Sequence, residues 1–211
     1  TALGPMLEIE LDLIDGCVKF IPEVGPGPGE LRTIFRDWCM NFDDVALQVK
    51  RLDTGEGTYL RELMEDMEVM GFIACIESRL NLTEQRCNKL KRNYELYDYL
   101  WKTDLNEMFA EFLETAIIKP EAASVASGEE LPEEEPEPER LNLELFEEKI
   151  QLYQGVQHEV DDMKPTHEID FLRIQSQPVK QALSTWCNKW MYCFTNYLQE
   201  KLMNDLTELY D

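Results

Sequence analysis

Apolar side chains recur every third or fourth residue over most of this sequence. That spacing gathers them on one side of an α-helix and on no single side of a strand. One run carries Leu31, Ile34, Phe35, Trp38, Phe42, Val45, Val49 and Leu52. Another carries Leu90, Tyr94, Tyr97, Trp101, Leu105, Met108 and Phe112. A third runs from Leu141, Leu145, Phe146 and Ile150 to Tyr153, Val156, Val160 and Met163, and a last joins Leu183, Trp186, Trp190, Phe194, Tyr197, Leu202, Leu206 and Leu209. Stripes of this length are buried by laying one rod against another. The expected fold class is therefore mainly α, an antiparallel bundle of long helices, and 211 residues with 44% apolar content suffice for its core.

The N-terminus departs from this period. Leu7, Ile9, Leu11 and Leu13 alternate with Glu8, Glu10 and Asp12, the pattern of a half-buried strand. Asp15-Gly16 suits a two-residue turn that needs positive φ at both positions. The register that follows pairs Ile14 with Cys17, Leu13 with Val18, Asp12 with Lys19 and Leu11 with Phe20. A lone hairpin is marginal in water, so its apolar face is expected to pack on the helices.

Gly25-Pro26-Gly27-Pro28-Gly29 is a connector, since proline lacks the amide donor and glycine loosens the backbone. A first helix is expected over about 30–52, ended by Asp53 to Thr58. A second carries Leu60, Leu63, Met64, Met67, Gly71 and Ala74 toward Leu80. Asn81-Leu82-Thr83-Glu84 either breaks it or is bridged by one bent helix, and a new start is preferred. From there the second stripe keeps one face over many turns to Phe112. Residues 119–140 hold eight glutamates and four prolines with no basic residue between Lys119 and Arg140. Such a stretch cannot bury enough apolar surface to order itself and is expected to be a disordered acidic loop. Beyond the next helix, stopped by Pro165, the segment 169–174 is ambiguous between strand and loop. Pro178 suits the first position of the final helix. The organisation expected is a hairpin over 1–24, a first bundle part over 29–118, the acidic loop over 119–140 and a second bundle part over 141–211.

Twenty basic against forty-three acidic residues give a formal net charge of −23. That charge repels phosphate backbones and anionic lipid surfaces, so neither nucleic acid nor a membrane is an expected partner. No window approaches the roughly 20 apolar residues that span a bilayer. Six cysteines, at 17, 39, 75, 87, 187 and 193, show no C-x-x-C spacing and are expected to be reduced core thiols, as in cytosol. His158 and His167 are the only histidines, and no phosphate-binding glycine loop is present. Carboxylate pairs such as Glu62/Asp66 and Asp161/Asp162 belong to solvated faces. Ser124, Ser176 and Ser184 lack nucleophile-elbow neighbours, and Cys187 lies between tryptophans as a packed thiol. The sequence thus offers no catalytic, cofactor-binding or metal-ligating residue, and the segment is not expected to be an enzyme. The aromatic stripe from Trp186 to Tyr197 is expected in the core. Met64, Met67 and Met70 form a soft cluster able to repack against a partner, with core packing the default.

The run Pro178-Val179-Lys180-Gln181-Ala182-Leu183-Ser184-Thr185-Trp186-Cys187-Asn188-Lys189-Trp190, with Tyr192, Phe194, Tyr197-Leu198 and Leu206-Thr207-Glu208-Leu209, resembles dynein heavy chains just upstream of the linker. Tyr94-Glu95-Leu96-Tyr97-Asp98-Tyr99-Leu100-Trp101 ahead of Phe109 and Phe112 is similar, as is the opening from Pro5-Met6-Leu7-Glu8-Ile9 to Val18-Lys19-Phe20-Ile21-Pro22. The similarity covers most of the chain except the acidic insert, and its details lean toward an axonemal, outer-arm type. The resemblance implies a non-catalytic tail or stem segment of a microtubule motor. Such a segment would link the motor unit to other heavy, intermediate or light chains in the axoneme of a cilium or flagellum. ATP belongs to the parent motor and no cofactor to this segment. A competing expectation is a helical adaptor or scaffold outside the motor family that docks through its acidic insert. Deleting residues 121–139 would separate the two, since only the adaptor would lose a partner.

Overall fold

The computed structural model describes residues 4–53, 57–118 and 140–210. Its elements in chain order are β1 (Leu7–Ile14), β2 (Cys17–Ile21), α1 (Leu31–Met40), α2 (Phe42–Gln48), α3 (Leu60–Glu65), α4 (Met67–Glu95), α5 (Tyr99–Lys102), α6 (Leu105–Ala116), β3 (Ile117–Ile118), β4 (Arg140–Leu141), α7 (Leu143–Asp162), β5 (Thr166–Ile169), β6 (Leu172–Gln175) and α8 (Gln177–Tyr210). The fold is mainly helical with a small sheet. The chain divides into two compact units, the first Thr1–Tyr97 with Lys164–Lys180, the second Asp98–Met163 with Gln181–Asp211.

In the first unit the alternating N-terminal residues form the expected hairpin in the expected register, from Ile14 opposite Cys17 to Leu11 opposite Phe20. Asp15 and Gly16 both take positive φ, 52° and 72°. The hairpin does not stand alone. β1 also pairs in parallel with β6, placing Ile9 beside Ile174, and β5 completes a four-stranded sheet in the order β2-β1-β6-β5. The ambiguous segment 169–174 is therefore the turn and second strand of another hairpin. The buried face is apolar: Ile9, Leu11, Val18, Phe20, Leu172 and Ile174 are all almost fully covered. Helix α4 lies against β2 and β5.

The helix α4 carries Ile73, Leu80, Thr83, Cys87, Leu90 and Tyr94 on its buried side. It runs unbroken through Asn81 to Glu84, where the sequence suggested a new start. The reason is local. The Thr83 hydroxyl donates to the Arg79 carbonyl one turn back at 2.9 Å, so a residue that competes with helix elsewhere is satisfied inside it. At the tip of the second hairpin Asp170, at φ 54°, presents its carboxylate to the same stretch. It accepts from Arg79 Nε at 2.7 Å and from Thr83 Oγ1 at 3.0 Å, with a further Arg79 Nη2 contact.

The breaks fall elsewhere. The helix expected over 30–52 divides at Asn41, whose amide turns back to Trp38 O, and α2 stops at Gln48. The helix expected from Leu60 onward divides at Asp66. There the Asp66 carboxylate caps α4 by accepting from the amides of Glu68 and Val69 at 2.8 and 3.1 Å. The stripe from Leu90 to Phe112 is interrupted by residues 96–98 and again by Thr103 and Asp104. Asp104 caps α6 in the same way, from Asn106 and Glu107 at 2.8 and 3.2 Å. Each cap satisfies amides that the new helix leaves orphaned and contributes about 1 kcal/mol. Pro178 is the second residue of α8, following Ser176, whose carbonyl accepts from Lys180 N at 3.0 Å.

The second unit is built on aromatic packing. Trp190 and Phe194 of α8 are buried with Phe112 of α6 and with Phe146 and Tyr153 of α7. Phe112 meets Phe146 and Phe194 edge-on, and Tyr153 stacks on Trp190 at 5.2 Å between centroids. Trp190 Nε1 donates to the Leu100 carbonyl at 2.8 Å, which satisfies the one polar atom the ring buries. The core role expected for this stripe holds at Trp190 and Phe194. Strands β3 and β4 pair Ile117 with Leu141 and Ile118 with Arg140. The acidic stretch expected to be disordered lies outside the described residues, Arg140 excepted.

Candidate docking surface

Most of the first helical stripe does not face a core, although Phe35 packs on Phe171 at 4.7 Å between centroids. Leu31 is buried, but Ile34, Trp38, Val45, Val49 and Leu52 are 47–93% exposed. The methionine cluster behaves alike: Met64, Met67 and Met70 are exposed, with Met67 at 85%, and Phe72 on α4 is 62% exposed. Core packing, the default for both, is thus not what the fold does with them. Side chains from four helices instead line an apolar groove of about 600 Å³. Val45 and Val49 come from α2 and its end, Leu63 from α3, and Val69, Phe72 and Ile76 from α4, with Cys39 of α1 closing the edge.

Local sequence explains the trough. The break at Asn41 and the cap at Asp66 divide what would be two long rods into the short helices α1, α2 and α3 and the long helix α4. The connection between α2 and α3 is held by a bridge between Lys50 and Thr58 and by Arg51 N donating to Gly57 O at 3.2 Å. Gly57, at φ 80°, takes a conformation that side chains resist. Contiguous exposed apolar surface of this kind marks an interaction site more often than an idle face.

The rim is charged. Arg51 is gripped by Asp53 and Glu62, Arg61 Nε pairs with Glu65 at 3.0 Å, and Arg36 Nε lies 3.8 Å from Glu77. Asp37, Asp44, Asp66 and Glu68 hold no ion pair among the described residues.

The residues weighed for chemistry are dispersed. Glu62 serves Arg51, and Asp66 serves as a helix cap. Ser184 binds Gln157 Nε2 at 3.0 Å, while Ser176 is fully buried and donates to Lys164 O at 2.9 Å. Ser124 lies outside the described residues. His158 is exposed. His167 Nε2 sits 3.3 Å from the Tyr94 hydroxyl, and burial holds its pKa below the usual imidazole value. Among the described residues no three His, Cys, Asp or Glu side chains gather as metal ligands, and no helix is long and apolar enough to cross a membrane.

The cysteines divide, against the expectation that most are core thiols. Cys87 and Cys187 are buried, Cys39 and Cys193 half-buried, and Cys17 and Cys75 exposed. Burial pushes the Cys87 thiol up to about 12, with Glu84 adding to it, and Cys187 up to about 11, with Asp161 adding. A maleimide near neutral pH is expected to modify Cys17 and Cys75 first, because the thiolate is the reactive form and only an accessible thiol meets the reagent. Cys87 and Cys187 should react only after denaturation. Peptide mass mapping against time checks this, and early modification of Cys87 would contradict the packing described.

Sequence periodicity found the stripes but not which of them lacks a cover. The signal that was available is charge: residues 36–77 contain ten acidic and four basic residues around these apolar positions.

No family model matches the chain. Among curated proteins it is 36% identical over 216 aligned residues to "Dynein beta chain, flagellar outer arm" of Chlamydomonas reinhardtii, an alignment covering all of this chain and 4% of that protein. It is 24% identical over 212 residues to "Dynein axonemal heavy chain 17" of Homo sapiens, covering 99% of this chain and 5% of the relative. It is 26% identical over 216 residues to "Dynein axonemal heavy chain 11" of Sus scrofa, covering 98% of this chain and 5% of the relative. The chain therefore spans about a twentieth of the length of these relatives.

Proposed function

We propose, for a chain that belongs to the axonemal dynein heavy chains, that it is a non-catalytic segment of the tail, or stem, which joins the motor to the assembly end of the complex. The observation that carries this reading is the 36% identity to a flagellar outer-arm heavy chain along the whole of this sequence. The parent protein is then an ATP-driven microtubule motor of the cilium or flagellum. Its tail partners are other heavy, intermediate and light chains, and its motor modules lie outside these residues.

The physical basis is stiffness. Helices of 29 and 34 residues, the first buried along Ile73, Leu80, Cys87, Leu90 and Tyr94 and the second along Trp190 and Phe194, resist bending, because a close-packed interior yields only when many contacts are lost together. Long helices laid antiparallel as a bundle would carry load between two ends of a larger assembly, and this is the arrangement we infer for the segment in its parent. The position just upstream of the linker, suggested by the final helix, belongs to the same proposal.

The purified chain is expected to hydrolyse no ATP above buffer background. Turnover that copurifies with the chain and is abolished by unfolding it would overturn the tail reading. The complete transcript provides a second check, since it should encode repeated ATPase modules.

A further inference from the structure

We propose that the groove bounded by α1 to α4 docks an amphipathic α-helix with basic flanks, supplied by a partner polypeptide. The proposal deepens the tail reading and rests on it only for the source of that partner, a separate subunit of the same assembly.

Shape gives the first argument. Val45, Val49, Leu63, Phe72 and Ile76 converge from three helices and one helix end on a single apolar trough of about 600 Å³. A helix laid in such a trough presents its apolar residues one turn apart, which is how helix-in-groove recognition works. Exposed Met64, Met67 and Met70 on the neighbouring faces of α3 and α4 can repack around side chains of differing shape.

Charge identifies the occupant. Three of the four basic residues between 36 and 77 are already engaged, Arg36 with Glu77, Arg51 with Asp53 and Glu62, and Arg61 with Glu65. The carboxylates of Asp37, Asp44 and Glu68 carry no ion pair among the described residues. Asp44 and Glu68, both exposed, stand next in sequence to the lining residues Val45 and Val69. A helix entering this trough thus meets an acidic surplus, and Lys or Arg beside its apolar stripe is favoured over Glu or Asp. The same surplus argues against the other occupants. A second copy would bring an identical acidic surplus to a chain of net charge −23. The stretch 120–139 of this chain has no basic residue at all. An anionic membrane surface would be repelled.

The probe is a synthetic, fluorescein-labelled helix of about 18 residues, long enough for five turns. It carries leucine on one face and lysine on both flanks, beside a counterpart with glutamate flanks. Titrated against the 211-residue chain by fluorescence anisotropy, the lysine form is expected to bind at least about tenfold more tightly than the glutamate form. Phe72→Asp and Val49→Asp should each weaken it about tenfold, as loss of a central anchor does. Both side chains are exposed, so circular dichroism should match the parent chain. Asp44→Lys with Glu68→Lys leaves the floor untouched and should reverse the preference between the two probes.

Equal binding of both probes, absence of binding, or unchanged affinity in both floor variants would each overturn the proposal. So would a dimer, seen by light scattering, that Phe72→Asp converts to monomer, because the groove would then belong to a second copy. Failure here leaves the tail reading intact, since peptide binding requires no motor. ATP turnover by the isolated chain would sink the tail reading and leave the groove standing.

Discussion

Trp190→Ala is expected to destabilise the unit formed by residues 98–163 and 181–211 by about 3–5 kcal/mol, the range for removing a large buried aromatic. Trp190 is 1% exposed, stacks on Tyr153 and donates its indole N–H to the Leu100 carbonyl. Alanine leaves a cavity between α7 and α8 and strips the carbonyl of its donor at once. The two losses can be separated in part. Trp190→Phe keeps a six-membered ring against Tyr153 but loses the donor and part of the indole's volume. It should cost less than alanine yet at least about 1–3 kcal/mol, the penalty for a buried polar group left unpaired. Urea denaturation followed by circular dichroism measures both. Native-like stability in the alanine variant would mean that the aromatic cluster is not the core of this unit.

Asp170→Leu is expected to cost about 2–3 kcal/mol in the other unit, through two terms of comparable size. Asp170 sits at φ 54°, a left-handed conformation that aspartate tolerates and leucine resists by about 1–2 kcal/mol. Its carboxylate also accepts from Arg79 and Thr83, tying the β5–β6 turn to the middle of α4. The Arg79 side chain is 64% exposed, so screening limits that pair to about 1 kcal/mol. The Arg79 hydrogen bond, helped by Thr83, holds the Asp170 pKa below the usual carboxylate value. The sign follows directly. The stabilisation is fully present above the unfolded aspartate pKa of about 3.9 and fades as pH falls through the lower folded value. Asp170→Asn keeps the turn and the Thr83 contact but abolishes this titration. Its stability should therefore change less than the parent's on acidification below about pH 4. A parallel acid limb in both proteins would place the charge dependence elsewhere.

How much of this was legible depended on whether the governing contacts are local. Alternation from Leu7 to Leu13 and the Asp15-Gly16 turn specify a register because a slip by one residue would turn Ile9 and Leu11 to water. The union of β1 with β6 joins residues more than 160 positions apart, and neither strand's own pattern names the other. Helix periodicity identified α4, α6, α7 and α8 but not their ends, since Asp66 and Asp104 cap new helices without disturbing the apolar spacing around them. Thr83 misled in the opposite sense, its cap-forming hydroxyl being bonded within α4. The docking groove was hidden for a more basic reason. A stripe of apolar residues records which side of a helix avoids water, whereas Val45 and Phe72 show that a side can be apolar and still stay exposed among the described residues.

The two-residue ladder of Ile118 with Arg140 has a consequence for how this protein can vary. Because β3 and β4 bring residues 118 and 140 side by side, the end of α6 and the start of α7 are joined by a pairing of their own. A change in the length of the 119–139 stretch is therefore expected to leave the pairing of β3 with β4, and with it the join of α6 to α7, in place.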